Sequence, residues 1–380
     1  MLALGTAARL VVAAVTDTNT EDLASFAIVR EALREDPLHF YADVPDLRWP
    51  YPAGYLPAVA GFAGLASATG IDFLHLLRAG PIAADLGIAL LVQHLLGGRG
   101  ASEGARLTAA GMVALGPVFA GVAGYQGQID AVAILPALAA FAVWDRGGPR
   151  RALAAGLLIG LGGSVKTVPL LMVLALLPSA RDRREAITLA AAAAALPLVT
   201  LAPFLLNDPR AVWDHLTYRG FPGLGGLSLL AQPDLPLFWQ SGHEYAPNAA
   251  TDFLLDTGGG AIVALGLLAT AAVLARFRPE PLDAAVLIWL AVWLLGVNFF
   301  IQYLIWGLPF MLARGELRAA AAVQALATPP LLLLYVDVSA EWAVWSVYTA
   351  PMIALWVLVA VLLARRLRGY SAAMPTAPAA

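Results

Sequence analysis

The chain contains no cysteine, which removes disulfides and thiolate metal sites from consideration. Charge is scarce as well: 13% of the 380 residues are Asp, Glu, Lys or Arg, against roughly 25% in a soluble domain. Lysine is nearly absent, Lys166 being the single one among 23 basic residues. The histidines, His39, His75, His94, His215 and His243, lack the i,i+4 spacing of a helical metal pair. There is no P-loop and no nucleophile elbow, and the glycine-rich FPGLGGLSLL at 221–230 does not join a strand to a charged helix. No repeat of solenoid period is visible. Metal-centred, nucleotide-binding and nucleic-acid-binding readings therefore start without support.

Apolar residues are what the chain has instead. They make up 60% of it, and the mean hydropathy of +0.75 places it in a bilayer. Residues 52–69, 79–96, 186–206, 258–275, 319–336 and 342–364 approach the roughly 20 apolar residues that a hydrocarbon core demands of a helix. The runs are continuous and rich in Leu and Ala, without the alternation of barrel strands. The expectation is an all-α, polytopic fold of about 11–13 transmembrane or re-entrant helices. Residues 1–370 would form one helical domain, followed by a disordered tail at 371–380. The first 16 residues read as the first span, since they lack a convincing cleavage site and run straight into an acidic stretch.

Arginines cluster at Arg146/Arg150/Arg151, Arg181/Arg183/Arg184, Arg276/Arg278, Arg314/Arg318 and Arg365/Arg366/Arg368, which marks the cytoplasmic face. Residues 17–50 carry eight acids against three arginines and residues 207–257 six against two, so both are expected as external loops. Within the first, Leu23, Phe26, Ala27, Val29 and Leu33 predict an amphipathic helix along the interface over 21–35. Strict alternation, however, would put Arg99 and Arg106 outside, so a segment between residues 70 and 120 is short, re-entrant or miscounted. Residues 152–178 have basic loops at both ends, which a pair of short helices meeting at Gly162, Gly163 and Ser164 would explain.

Five polar or aromatic groups carry chemistry. Asp17, Glu21 and Asp22 follow the first span, where a carboxylate either takes a proton from a hydroxyl nucleophile or caps the coming helix. Trp49, Tyr51 and Tyr55 belong either to a site or to an aromatic belt. In GYQGQID at 124–130, Gln126, Gln128 and Asp130 line a cavity or clasp a neighbouring helix. Lys166, in GLGGSVKTVPLL, suits a phosphate arriving from the bilayer, or else pairs with a carboxylate such as Asp130. Asn298, Gln302, Tyr303 and Trp306 lie in NFFIQYLIWGLP at one end of an apolar hairpin.

In order, Asp22 followed by Phe26, HFY at 39–41, YPAGYL at 51–56, GQID at 127–130, Lys-x-x-Pro at 166–169 and QYLIWGLP at 302–309 resemble the C-type (GT-C) glycosyltransferases. The likeness is to the polyprenyl-phosphate-sugar-dependent branch, including bacterial relatives of GPI mannosyltransferase 2 and glycosyltransferase family 87. The chain departs in having YPA for Tyr-Pro-Pro and QYLIW for a His-Glu-Arg-Tyr ending.

The resemblance implies a GT-C-like bundle in the cell inner (plasma) membrane with its active site on the external face. It implies a hexosyltransferase, mannose being the first choice of sugar, that uses a polyprenyl-phosphate donor and a glycan, glycolipid or protein acceptor. Asp22 would be the base, with Asp17 or Glu21 as substitutes. Lys166 would meet the donor phosphate, and Gln126, Gln128, Asp130, Tyr51, Tyr55, Gln302 and Tyr303 would line the substrate site. No cofactor is called for, although a divalent ion bridging phosphate and carboxylates is compatible with these residues. The rival reading is a multi-pass transporter or lipid-linked saccharide flippase using Lys166 and Asp130 as an intramembrane relay.

Overall fold

The structure, a computed structural model, describes residues 1–16, 20–218, 225–237, 246–333 and 341–372. Among these residues the regular structure is helical throughout, giving an all-α polytopic membrane fold. Helices Phe73–Gly98, Glu103–Gln126, Arg183–Asn207, Ala249–Phe277 and Val344–Ala372 are long and apolar enough to cross a membrane. Five shorter apolar helices accompany them. The chain divides into two compact units, residues 1–220 with 302–321, and residues 221–301 with 322–380. Most of the tail expected at 371–380 lies outside the described residues.

In the first unit, α1 (Leu2–Val15) precedes α2 (Glu21–Glu35), whose N-cap is Thr20, its hydroxyl accepting from the Leu23 amide at 3.2 Å. The stripe expected to lie along the membrane faces protein instead. Leu23, Phe26 and Val29 are buried with Phe40, Trp49, Tyr55, Leu56 and Val59, drawn from α3 (Phe40–Asp43), the turns that follow it and α4 (Leu56–Thr69). Trp49 meets Phe26, Phe40 and Tyr51 edge to face, so it is core and not part of an aromatic belt. The start of the second polar stretch packs against the first. Asn207, at the end of α11 (Arg183–Asn207), donates to the Leu38 carbonyl, and His215, in α12 (Pro209–Leu216), bridges the Trp49 and Tyr41 carbonyls at 2.8 and 2.9 Å.

Gly80, in the second turn of α5 (Phe73–Gly98), faces both the Tyr55 hydroxyl and the Phe62 ring. α4, at 14 residues, is not among the helices long and apolar enough to cross a membrane. The far end of α5 then lies beside the far end of α8 (Asp130–Arg146), with His94 and Arg146 3.4 Å apart. Arg99 and Arg106 join the other arginines.

α6 (Glu103–Ala114) breaks before α7 (Pro117–Ala120), since Pro117 has no N–H for a preceding carbonyl. Arg9 of α1 takes up the stranded Val113 and Ala114 carbonyls while pairing with Asp85 at 2.8 Å. Arg78 likewise donates to the carbonyls of Ala13 and Tyr125, in the last turns of two helical segments, where a cation opposes the helix dipole. α8 packs on α9 (Arg151–Val165), and α9 on α11, through small residues: a Cβ on Gly162 would lie 2.2 Å from the Ala133 carbonyl oxygen. The break in this segment falls at Lys166, just past the expected glycines. The chain returns through Val168–Leu171 and α10 (Met172–Leu176) to Arg181 and Arg183.

In the second unit, Gly226 has φ 71° and sits against the Gly296 carbonyl, and Ser228 donates to Val297 at 2.6 Å. The glycines of 225–226 therefore serve close packing.

Candidate functional site

The heptad at 124–130 is a junction between two helices. The helical path after α7 widens into a π-type turn over Gly121–Gln126, and Gly127 reverses it with φ 67°. A side chain at 127 would also meet Leu23 and Arg78. Asp130 then opens α8, its carboxylate at the helix end that favours negative charge.

Lys166 reaches Asp130 from the end of α9, where its extended backbone leaves the helix. Its Nζ donates to both Asp130 oxygens at 2.9 Å and points at Gln128 Oε1 at 3.5 Å. The ammonium lies 4.5 Å from the centre of the Tyr51 ring, a cation–π contact. Trp306, in the helix Leu304–Arg314, donates its indole N–H to Asp130 Oδ1 at 2.5 Å. Tyr303, one turn earlier, stacks on Trp306 with centroids 4.0 Å apart. Lys166, Asp130 and Trp306 are all buried.

Asp22 stands half-buried in the first turn of α2. Thr20 caps the helix, and Asp22 stands in its first turn, where the helix dipole favours a carboxylate. Its charge acts on the Tyr51 and Tyr303 phenols, as does that of Asp130. Burial pushes the Tyr51 phenol above its ordinary value, Lys166 opposes the rise, and Asp130 and Asp22 add to it. Tyr51 is thus a neutral hydroxyl among charged neighbours.

Of the residues singled out in the sequence, Lys166, Asp130, Gln128 and Tyr51 are in contact, with Tyr303 stacked on the indole that holds Asp130. Gln126 is buried at the end of the π-type turn, its Oε1 meeting no donor among the described residues. Gln302 is half-buried in the turn before Leu304. Tyr55 stands apart, its hydroxyl aimed at Gly80 of α5. Asp17 and the Glu21 side chain lie outside the described residues. Trp306 was not among the expected site residues, although its place one turn after Tyr303 was the available signal. Arg9, Arg78 and Asp85 also went unmarked, and the signal there was plain: a charge inside an apolar run needs a partner.

Each site element has its arginines at the opposite end. α8 starts at Asp130 and ends at Arg146, α9 starts at Arg151 and ends beside Lys166, and the helix after Tyr303 ends at Arg314. The site is therefore a buried charge pair, hydrogen-bonding amides and an aromatic wall at the end of the unit away from its basic ends. Such a group of side chains can bind an anion and a polyhydroxylated ligand. A family model described as glycosyltransferase family 87 matches residues 49–297, about two thirds of the chain. The match contains Tyr51, the heptad and Lys166; it begins after Asp22 and ends before Gln302. No curated protein matches the chain.

Proposed function

Because the chain belongs to glycosyltransferase family 87, and so is a membrane glycosyltransferase, we propose that it moves a hexose from a polyprenyl-phosphate donor to an acceptor hydroxyl at the external face. Mannose is the sugar proposed, and the acceptor is a glycan, glycolipid or protein. The observation that carries this reading is the Lys166–Asp130 pair, buried opposite the arginine-rich ends. By the positive-inside rule the arginine-rich ends read as cytoplasmic, which supports an external position for the pair.

In the proposed reaction Asp22 takes the proton of the acceptor hydroxyl as its oxygen bonds to the anomeric carbon. The anomeric C–O bond to phosphate breaks, and polyprenyl phosphate leaves with the electron pair. One displacement inverts the configuration and forms no glycosyl-enzyme bond. Lys166 stabilises the growing charge on the leaving phosphate, which counts for more in a dry site than in water. Gln126, Gln128, Tyr51, Tyr303 and Gln302 supply hydrogen bonds and ring faces to the sugar. Family membership replaces the transporter reading.

Membranes given radiolabelled polyprenyl-phosphate mannose should yield a labelled acceptor. Asp22→Asn should reduce the transfer by about 10²-fold or more. Full transfer by an Asp22→Asn protein that inserts normally would show that the base lies elsewhere.

A further inference from the structure

An ammonium has three N–H bonds, and those of Lys166 are in use. Two go to Asp130 at 2.9 Å each, and the remaining direction holds Gln128, with the Tyr51 ring covering the group. While this arrangement lasts, Lys166 has no hydrogen to offer a phosphate. Asp130 for its part is fully buried, so it does not touch a substrate in this state. It does have a second donor independent of the lysine. The Trp306 N–H lies 2.5 Å from Oδ1, on an indole that is itself buried and stacked against Tyr303.

We propose that Asp130 and Trp306 are positioning residues that form an exchange seat for Lys166. In the empty site the ammonium rests on Asp130. A lipid-linked phosphate draws it away, and the indole N–H stays on the carboxylate, so that releasing the lysine does not leave a bare buried charge. The proposal rests on the assignment of Lys166 to the donor phosphate made above.

Charge sets the direction of the cycle. The donor is a phosphodiester with one negative charge, and the product is a phosphomonoester carrying about −1.5 to −2 at pH 7. Lys166 is held more tightly by the product than by the donor. Asp130, competing for the same ammonium, promotes product departure. Removing that competitor should therefore tighten phosphate binding and slow turnover together.

The test uses polyprenyl phosphate as the probe and the full-length protein in nanodiscs, measuring its Kd for wild type, K166A, D130N, W306F and the D130N/W306F double variant. K166A should lose most binding. D130N should bind about tenfold more tightly and W306F about tenfold more weakly, the scale of a hydrogen bond to a charged group. W306F should add no weakening on the D130N background, where no carboxylate is left to stabilise. In transfer assays D130N should lower KM and kcat together. If Asp130 merely held Lys166 in place, D130N would bind as weakly as K166A, and that result overturns the seat while leaving Lys166 as the phosphate cation. Should D130N not fold, W306F binding like wild type overturns the seat on its own. Wild-type binding that K166A leaves intact overturns the Lys166 assignment itself.

Discussion

At the level of single residues, a buried ion pair is worth less than what is lost when it is broken. Asp130→Ala strands the Lys166 ammonium and should cost about 3–5 kcal/mol of stability, read as a lower thermal midpoint in detergent, whereas Lys166→Ala should cost less because the Trp306 N–H stays on the Asp130 carboxylate. Replacing both, as Lys166→Met with Asp130→Leu, should recover most of that stability and none of the transfer. The separation matters because it distinguishes a pair kept for chemistry from one kept for the fold. Arg9→Met should behave differently, since Asp85 loses its partner and two carbonyls at the α6 break lose their donor. Outside the spans, His39 Nδ1 lies 2.7 Å from Asp36 and its hydrogen bond holds that carboxyl below its ordinary value. A lowered carboxylate stabilises the fold above its unfolded pKa and loses that contribution as pH falls through the folded one. The pair is solvent-exposed, so Asp36→Asn should shift the acid unfolding midpoint only slightly.

Among the helices, two glycines set the geometry of the pair. Gly127 has a left-handed φ and no room for a Cβ beside Leu23 and Arg78, so Gly127→Ala should cost about 1–2 kcal/mol from conformation alone. Gly162→Ala would press on a backbone carbonyl of α8 that cannot swing aside. It should push α9 from α8 and reduce transfer more than it lowers the thermal midpoint. Much at this scale was legible in the sequence. Basic flanks around residues 152–178 pointed to a turn of the chain within the membrane, and the turn is found beside the expected glycines. The apolar stripe of 21–35 correctly announced a helix. What it does not encode is the surface that covers it, since Trp49, Phe40 and Tyr55 would look the same facing lipid. Residues 52–69 read longer than the helix they form, since Ala53–Tyr55 makes a separate turn and the helix Leu56–Thr69 has only 14 residues.

For the whole molecule, the arginines carried the most information. They gather at the ends of α8, α9 and the helix Leu304–Arg314 that lie away from the Lys166–Asp130 pair. Long-range partners such as Trp306 with Asp130, 176 residues apart, leave no local trace in the sequence. The lack of native cysteine makes the sidedness directly measurable. A single Ser102→Cys in the α5–α6 connection should react with a membrane-impermeant maleimide only from the cytoplasmic side, and Asp43→Cys only from the opposite side. Labelling of both from one side would invalidate the external placement of the reaction.

α9 also acts as a ruler. Its 15 residues rise about 22 Å, short of the roughly 30 Å of hydrocarbon. With Arg151 at the cytoplasmic surface, as proposed, the Lys166 ammonium would sit below the opposite headgroup plane, and a carrier lipid that meets it would have to draw its phosphate inward. The ruler has phase as well as length. One residue inserted in α9 turns Lys166 about 100° away from Asp130, whereas four restore the direction and move the ammonium about 6 Å outward. Transfer that fails with one inserted residue and changes its preference for carrier length with four would mark depth, and not only charge, as a property this helix sets.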